Sequence, residues 1–373
     1  MKDLTRYLQF IYFLLLEFSL MGFATAQSNN SQVPVRIGIA GLSHDHVHGL
    51  LRQMDQSTAF QIVGIAESNT ALVARHQEKY KLSPEIVYGS LGEMLAKVEP
   101  QAVLGFGSTY AHLDIVEQCA PVGIHVMVEK PLAVNMMHAE KMKKLVDDHN
   151  IHLLVNYETT WYPSNHRSKE LVDAKAIGEL RKIVVHDGHR GPREIGCSEE
   201  FLSWLTDPIL NGGGALTDFG CYGANLITWL MQGAEPLSVS ATIQQIKPDL
   251  YPLVDDEATI LLTYPETQGI IQASWNWPFS RKDMEIYGRT GTIMSVNSNK
   301  IRVRLAGESN ANEDKIESRA EPYNDPFLYF TKVILGEIKM PPFALSSLEN
   351  NMIVTKILDA AKESSKNGSV IKL

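Results

Sequence analysis

The chain has 373 residues, of which 44% are hydrophobic and 21% charged, so it is long enough for two domains with large apolar cores. Its formal net charge is −9 and it has no basic run, which argues against nucleic acid or an anionic membrane surface as a partner. Its three cysteines form neither a disulfide framework nor a metal-ligand pattern.

Residues 1–26 have the pattern of a secretory signal peptide. Lys2 and Arg6 precede a mostly apolar stretch, Leu8–Phe23, and the Ala-Thr-Ala of residues 24–26 provides the small residues that a signal peptidase recognises. An uncleaved membrane anchor is the alternative, but the small residues after so short an apolar run count against it. The sequence predicts an exported, periplasmic protein, with no membrane contact once the signal is removed.

In residues 34–156, short apolar strands alternate with amphipathic helical segments such as Ala71–Tyr80 and Ala139–His149. The strands are predicted at Val35–Ala40, Gln61–Ala66, Ala102–Phe106, His125–Val128 and His152–Val155. Such alternation predicts an α/β fold with βαβ units and a doubly wound parallel sheet, whose ligand crevice lies at the carboxyl ends of the strands. We therefore expect a Rossmann domain that binds a dinucleotide.

Residues 157–373 have a different pattern, in which strands follow one another over short turns. The irregular stretch Asp187–Gly214 separates two predicted helices, Ser164–Ala174 and Asp218–Met231, and two more helices, Asp325–Gly336 and Ser346–Ser365, close the chain. Strands are predicted at Arg181–His186, Leu237–Gln244, Glu257–Thr263, Gly269–Trp275, Met284–Gly288, Thr292–Val296 and Lys300–Leu305. This order predicts an α+β domain with a large, mostly antiparallel open sheet.

The turn after the first strand carries a degenerate dinucleotide fingerprint. Gly41 has the first position of G-x-G-x-x-G, whereas Ser43 and His46 replace the second and third glycines. Ser43 is small enough for the backbone to approach a pyrophosphate, which the start of the following helix would also attract. His46 is unexpected, because a glycine there normally permits close packing of helix and strand.

Glu67 ends the second strand, where an acidic side chain accepts hydrogen bonds from the adenosine ribose. Its carboxylate would repel a 2′-phosphate, and Ser68 and Asn69 follow it instead of an arginine. The sequence therefore predicts NAD in preference to NADP, the alternative being that Glu67 is an ordinary loop acid. His44 and His48 would share a helix face as metal ligands require, but a polar helix start beside a nucleotide explains them more simply, so no metal is predicted.

Two later segments carry groups suited to acid–base chemistry. A buried strand ends in Glu129-Lys130-Pro131 and places an ammonium group at the crevice. After a glycine run, Asp218, Tyr222 and Asn225 follow at helical spacing and would share one face. The structural alternative is that Asp218 only caps this helix and Tyr222 only packs.

Together these segments resemble the Gfo/Idh/MocA (glucose–fructose oxidoreductase / inositol dehydrogenase) family of NAD(P)-dependent oxidoreductases, over nearly all of Val35–Leu373. Glu-Lys-Pro after H-V-M-V is the most specific motif, followed by G-G-G-A-L-T-D-x-G-x-Y. Weaker matches are Thr109 with His112, the segment 177–179 and the segment 286–292.

The resemblance implies roles for these residues. Lys130 matches the lysine that contacts substrate hydroxyl and cofactor, and Asp218 matches the acid that orients the substrate or its base. Tyr222 stands where many members have a catalytic histidine, so whether Tyr222 or Lys130 moves the proton stays open. Asn225 replaces a frequent aspartate and Thr160 a common arginine. The residues expected to bind the cofactor are Gly41, Ser43, His44, His46, Glu67, Ser108, Thr109, His112, Glu129, Lys130 and Asn156.

The substrate pocket is expected to combine hydrogen-bonding groups with flat aromatic faces, a mixture that suits sugars, although each tryptophan is as typical of a core. Its expected residues are Trp161, Tyr162, His189, Arg190, Trp204, Asp218, Tyr222 and Asn225, with His186 and Asp187 in the same stretch.

The predicted activity is hydride transfer between a secondary alcohol of a sugar or polyol and a nicotinamide cofactor, with a positioned acid–base group. One alternative is an NAD-dependent glycoside hydrolase or lyase that oxidises its sugar transiently to allow elimination. Another is a redox-silent binding protein, against which Lys130, Asp218 and Tyr222 argue. A homo-oligomer, dimer or tetramer, is expected from apolar residues on both faces of Gly269–Trp275.

Overall fold

Two sheets organise the part of the chain that the computed structural model describes, residues 33–54 and 56–373. The predicted signal peptide lies outside these residues. Within the described ranges, no helix combines the length and the apolar character needed to cross a membrane.

The first sheet has six strands in the order β3-β2-β1-β4-β5-β6, and every neighbouring pair is parallel. The strands are β1 (Val35–Ala40), β2 (Phe60–Ala66), β3 (Val87–Tyr88), β4 (Ala102–Gly105), β5 (His125–Glu129) and β6 (Leu153–Asn156). The helices between them are α1 (Val47–Gln53), α2 (Thr70–Tyr80), α3 (Leu91–Val98), α4 (Ala111–Cys119) and α5 (Met136–His149). The predicted Rossmann architecture is confirmed, and the strand order reverses between β1 and β4, where such sheets place their ligand crevice.

The second sheet has nine strands in the order β14-β13-β12-β11-β7-β10-β9-β8-β15. They are β7 (Leu180–Gly188), β8 (Ser238–Gln244), β9 (Glu257–Thr263), β10 (Gln268–Ser274), β11 (Arg281–Gly288), β12 (Gly291–Asn297), β13 (Lys300–Leu305), β14 (Asn312–Lys315) and β15 (Ile371–Lys372). Only β7 and β10 pair in parallel, so the predicted mostly antiparallel sheet is confirmed. The sequence did not predict β14, because its four residues are all exposed and lack apolar alternation.

The helices of the second half differ from prediction at two points near the crevice. They are α6 (Pro163–Asp173), α7 (Glu199–Leu205), α8 (Ala215–Asp218), α9 (Gly220–Leu230), α10 (Pro326–Ile334) and α11 (Leu348–Asn367). Within the stretch predicted to be irregular, α7 forms because the Ser198 side chain accepts a hydrogen bond from the Phe201 amide and caps it. The helix predicted over Asp218–Met231 is instead divided at Phe219 into α8 and α9.

One face of the second sheet packs against α9. Val185 on β7 and Met284 on β11 are neighbours on this face, and both are buried. Gly223 lets α9 approach closely, because a Cβ there would lie 2.5 Å from the side chain of Ile271 on β10. Side chains alternate between the two faces of a strand, so Asp187 and Lys282 lie on the same face as Val185 and Met284, two residues nearer the crevice.

Candidate active site

The turn after β1 has the geometry that a pyrophosphate needs. Gly41 has φ +84, and a Cβ at that position would lie 2.9 Å from the Gly107 nitrogen at the end of β4. Only glycine fits both the backbone conformation and the close approach. The turn then leads into the start of α1, where backbone N–H groups favour an anion. These residues therefore fit the dinucleotide that the sequence predicts.

Glu67 is fixed between the ends of β1 and β2. Its carboxylate accepts hydrogen bonds from the Leu42 amide at 2.9 Å and the Asn69 amide at 2.8 Å. Each oxygen keeps a second acceptor position, which suits the hydroxyls of an adenosine ribose. The same charge would repel a 2′-phosphate.

His46 reaches across the crevice rather than packing against the strand, which explains how the turn tolerates it. Its Nδ1 lies 2.9 Å from Oε2 of Glu129, whose Oε1 accepts a hydrogen bond from Asn156 at 2.9 Å. Trp161 donates in turn to Asn156 at 3.0 Å. Burial alone raises the pKa of Glu129, but His46 and Asn156 lower it below its ordinary value, so the carboxylate stays charged.

His44 is buried beside this network, and burial together with His46 lowers its pKa well below the ordinary value. Its Nδ1 accepts a hydrogen bond from the His46 amide at 3.2 Å, so in the neutral ring Nε2 carries the proton. His44, His46 and Glu129 are close enough to share a metal ion. A protonated Nε2 cannot be a ligand, however, so the hydrogen bonding disfavours a metal here.

The α7 segment of the second half packs over this turn. The amide and hydroxyl of Ser198 donate to the Asp45 carboxylate at 2.9 and 2.6 Å. The rings of Phe201 and Trp204 lie 4.6 and 5.4 Å from that of His44, and Trp204 donates to the Ser43 carbonyl at 3.4 Å. Trp204 thus contacts the nucleotide turn, and its role toward a substrate stays a prediction.

The predicted cofactor residues after β4 are mostly engaged within the protein. Thr109 donates from its hydroxyl to Asn211 at 3.0 Å, which joins the two halves of the chain. His112 is buried with its Nδ1 3.2 Å from the Leu132 carbonyl, and burial lowers its pKa to about 4. Ser108 is half-buried at the start of α4. Their roles toward a cofactor stay predictions.

Lys130 and Asp218 form a buried ion pair at the centre of the crevice. The Lys130 Nζ donates to the Asp218 carboxylate and, at 3.1 Å, to its backbone carbonyl. The indole of Trp275 donates to the other carboxylate oxygen at 3.0 Å. Burial lowers the pKa of Lys130, but Asp218 raises it above the ordinary value, while Lys130 outweighs burial to lower the pKa of Asp218. Both groups are therefore charged.

This geometry excludes the capping alternative for Asp218. The residue ends α8 instead of starting a helix, and its carboxylate faces Lys130 and Trp275. The start of α8 is held by Asp255, which accepts from the amides of Gly214 at 2.8 Å and Leu216 at 2.7 Å.

Tyr222 lies beside the ion pair at the start of α9 and is 1% exposed. The Nζ atoms of Lys130 and Lys282 lie 5.1 and 4.8 Å from its ring centroid. Burial, and then the charge of Glu158, raise the pKa of Tyr222 well above its ordinary value. The phenol therefore stays protonated, which suits it to donate a hydrogen bond and not to accept a proton.

A cavity of about 510 Å³ adjoins these groups at the ends of β7 and β11. Tyr162 and His189, both predicted to bind substrate, line it together with Glu158 and Lys282, which form an ion pair. The ring of His189 packs at 4.8 Å against Phe219, next to Asp218. The mixture of charged, hydroxyl and aromatic groups suits a polar ligand.

Two other predicted substrate residues lie away from this cavity. Asn225 is buried, and its amide donates to the Leu345 carbonyl at 2.8 Å and to Asn350 at 3.1 Å, so it stabilises the contact with α11. Arg190 is exposed and donates to the Glu194 carbonyl at 3.4 Å. Spacing along the chain does not show which way a helix face or loop turns, so the sequence could not place these two side chains, and their roles toward a substrate stay predictions.

Trp161, which is also predicted to bind substrate, lies beside Thr160 at a second cavity of about 210 Å³, and its role stays a prediction. Sequence reasoning missed Trp275, Lys282 and Glu158, which the fold brings to Lys130 and the first cavity. Trp275 and Lys282 have no motif and depend on how the strands of the second sheet are aligned. The sequence did offer a signal for Glu158, since it is a charged residue two positions after the end of β6.

Comparison with known proteins agrees with this geometry. The family model "Oxidoreductase family, NAD-binding Rossmann fold" matches residues 35–157, and "GFO/IDH/MocA C-terminal domain" matches residues 166–294. The chain is 24% identical to the D-xylose 1-dehydrogenase [NADP(+)] of Haloarcula marismortui, over 70% of this chain and 71% of that protein. It is 23% identical to the myo-inositol 2-dehydrogenase of Thermotoga maritima, over 91% and 98% of the two chains.

Among solved structures, the chain is similar to an inositol dehydrogenase homologue from Azotobacter vinelandii in complex with NAD+. The TM-score is 0.79 at 17% identity, with 92% of this chain and 98% of that chain covered. At this identity the likeness concerns the fold.

Proposed function

Because this chain belongs to the Gfo/Idh/MocA family of oxidoreductases, whose first domain is an NAD-binding Rossmann fold, we propose that it transfers a hydride between a secondary alcohol of a sugar or polyol and NAD. The observation that carries the proposal is the buried Lys130–Asp218 pair at the carboxyl end of β5. Open α/β sheets bind their ligands at that edge.

NAD, when bound, accepts or returns the hydride. The turn at Gly41, the carboxylate of Glu67 and the start of α1 would hold it. In the oxidation direction, Lys130 first releases a proton to solvent; its neutral amine then accepts the proton of the substrate alcohol at Nζ, and Asp218 stabilises the ammonium that forms, which is the charged state favoured by the pair in the structure. In the reverse direction the ammonium returns the proton to the carbonyl oxygen. Tyr222, held neutral, donates a hydrogen bond to the same oxygen.

The proposed substrate class, sugars and polyols, is supported by the names of the relatives and by the polar lining of the cavity. The relatives named above are dehydrogenases of D-xylose and myo-inositol, which does not favour redox-assisted glycoside cleavage. The test is to supply NAD with D-xylose, D-glucose and myo-inositol in turn and to follow NADH. NADH formation on at least one is expected, and failure on a broad sugar and polyol panel, with folded protein that binds NAD, would refute the proposal.

We further propose that the protein is exported and begins at Gln27 after removal of the signal sequence. The support is the apolar run followed by small residues at 24–26. N-terminal sequencing of the native protein is the check, and an intact Met1 would contradict export by cleavage.

The outer face of the second sheet is the proposed homo-oligomer interface. Val184, Ile270 and Leu261 lie side by side on β7, β10 and β9, and all three are only half-buried. A row of apolar residues on an outward face is typical of a protein interface. Light scattering at micromolar concentration should give a dimeric or tetrameric mass, and a monomeric mass would contradict this.

A further inference from the structure

Asp187 differs from the other buried carboxylates near the crevice because it lacks a hydrogen-bonding partner. It is 1% exposed, and among the described residues its Oδ1 atom is buried without a hydrogen bond. By contrast, Asp218 holds Lys130 and Trp275. Asp256, fully buried in the same half of the chain, accepts from the amides of Ile246 and Lys247 at 2.8 and 2.6 Å.

A partnerless carboxyl group in a protein interior is costly, since burial disfavours its charge and leaves its hydrogen-bonding capacity unused. Burial raises the pKa of Asp187 well above its ordinary value; Lys282 opposes this rise, and Glu158 adds to it. Such an unpartnered group calls for an explanation, and a ligand that supplies the missing partner is one such explanation.

The position of Asp187 shows where that ligand would come from. Asp187 is the second-last residue of β7, and the next two residues, Gly188 and His189, line the cavity. The residue opposite Asp187 on β11 is Lys282, which also lines the cavity. The ammonium group of Lys282 is paired with Glu158. The carboxyl group therefore lies directly behind the cavity wall.

Lys130, the proposed proton-transfer group, lies close to the end of β7. Lys130 and Lys282 both lie over the ring of Tyr222, with their Nζ atoms 5.1 and 4.8 Å from its centroid. Since Lys282 is the strand neighbour of Asp187, Lys130 lies near the strand end that carries Asp187. A polyol carries donors on neighbouring carbons, and a carboxyl group is an acceptor that matches a hydroxyl donor.

We propose that Asp187 binds a second hydroxyl of the substrate, near the carbon whose hydroxyl Lys130 holds, and thereby selects polyhydroxy substrates over simple alcohols. The inference rests on the proposed function, because it assumes that the substrate alcohol lies at Lys130. Asp187 contacts the substrate and takes no part in the transfer of hydride or proton.

The test compares the wild type with Asp187→Asn and Asp187→Ala, using whichever of D-xylose, D-glucose and myo-inositol turns over, and its monodeoxy derivatives. For the full polyol, kcat/KM should fall at least tenfold in both variants, mainly through KM, and the Ala variant should lose more. One monodeoxy derivative, which lacks the contacted hydroxyl, should be used almost equally by all three proteins. NAD affinity, measured by calorimetry, should not change.

Asp256→Asn is the matched control for stability. It removes a satisfied buried carboxylate, so its melting temperature should fall, whereas Asp187→Asn should melt at or above the wild-type temperature. Unchanged kcat/KM in the Asp187 variants would overturn the inference while leaving the proposed function intact. An equal loss on every monodeoxy derivative would also overturn it, because Asp187 would then act only through the shape of the site. A wild type that oxidises no sugar or polyol would overturn both.

Discussion

One buried aspartate lies in the crevice and another lies behind the wall of the adjoining cavity, yet the two residues are in opposite states. Asp218 is paired with Lys130 and Trp275, and its pKa lies below the ordinary value because the lysine outweighs burial. Asp187 lacks a partner for Oδ1, and burial raises its pKa well above the ordinary value. The comparison indicates that the reacting groups are assembled before substrate arrives, whereas the neighbouring cavity has an acceptor left for the substrate to satisfy.

Breaking the ion pair between Lys130 and Asp218 should have the largest effect, on both turnover and stability. Lys130→Met removes the proton-transfer group, which typically costs about 10²–10⁴ in rate. It also leaves the Asp218 carboxylate buried without a counter-ion, and breaking a buried pair in this way costs about 3–5 kcal/mol of stability. The measurements are turnover and a melting curve.

The double variant Lys130→Met with Asp218→Asn is the control. An asparagine needs no counter-ion, so the double variant should regain much of the lost stability without regaining turnover. A double variant less stable than Lys130→Met alone would show that the pair is not the source of the instability.

The unpartnered Asp187 should make the free energy of unfolding depend on pH. The raised pKa of Asp187 means that the folded protein holds a proton which the unfolded chain releases above about pH 3.9. Stability should therefore fall as pH rises from there toward the folded pKa, with a slope approaching about 1.4 kcal/mol per pH unit. The charged groups around it are Lys282, Glu158, Asp283 and Lys130.

Asp187→Asn should remove this slope, as measured by denaturant unfolding across the acid range. Asp218 should contribute the opposite sign, because its lowered folded pKa makes its stabilisation disappear as pH falls. An unchanged slope in Asp187→Asn would mean that the buried group is already satisfied in solution.

A smaller effect, on nucleotide affinity, is expected from a change at Glu67, whose carboxylate already accepts two backbone hydrogen bonds. Glu67→Gln keeps the size of the side chain but removes the charge that holds the Leu42 and Asn69 amides and opposes a 2′-phosphate. NAD affinity should fall by up to about tenfold, since charge-assisted hydrogen bonds weaken, and the preference over NADP should narrow. Calorimetry with both nucleotides measures this, with the exposed Glu78→Gln on α2 as a control that should change neither. Tighter binding of NADP by the wild type would refute the role of Glu67.

The smallest effect is expected at the exposed edge of the contact between α7 and the nucleotide half. Arg75 pairs with Glu200, and their side chains are 54% and 26% exposed. Arg75→Ala should change the free energy of unfolding by less than about 1 kcal/mol, because water screens such pairs. A larger loss would mean that this ion pair, and not the Asp45–Ser198 contact, holds α7 in place.

The parts of the site that the sequence predicted follow directly from strand ends. Lys130 and Glu67 could be placed because each directly follows an apolar strand. The two strands belong to one parallel sheet, and the carboxyl ends of its strands share one edge. Trp275 and Lys282 could not be placed from the sequence, because their neighbours depend on the register between strands that are far apart in the chain. The surroundings of Asn225 could not be predicted either, because the break at Phe219 and the direction of α9 are set by packing against the second sheet and α11.

The most direct test of the account is a single turnover with a sugar that carries deuterium on its reacting carbon, followed by mass spectrometry of the nucleotide. If the carbinol hydrogen passes as hydride at the Lys130–Asp218 pair, the wild-type protein should yield NADH that carries the deuterium, and Lys130→Met should yield almost none on the same timescale. Unlabelled NADH from the wild type, or labelled NADH formed as fast by Lys130→Met, would contradict it.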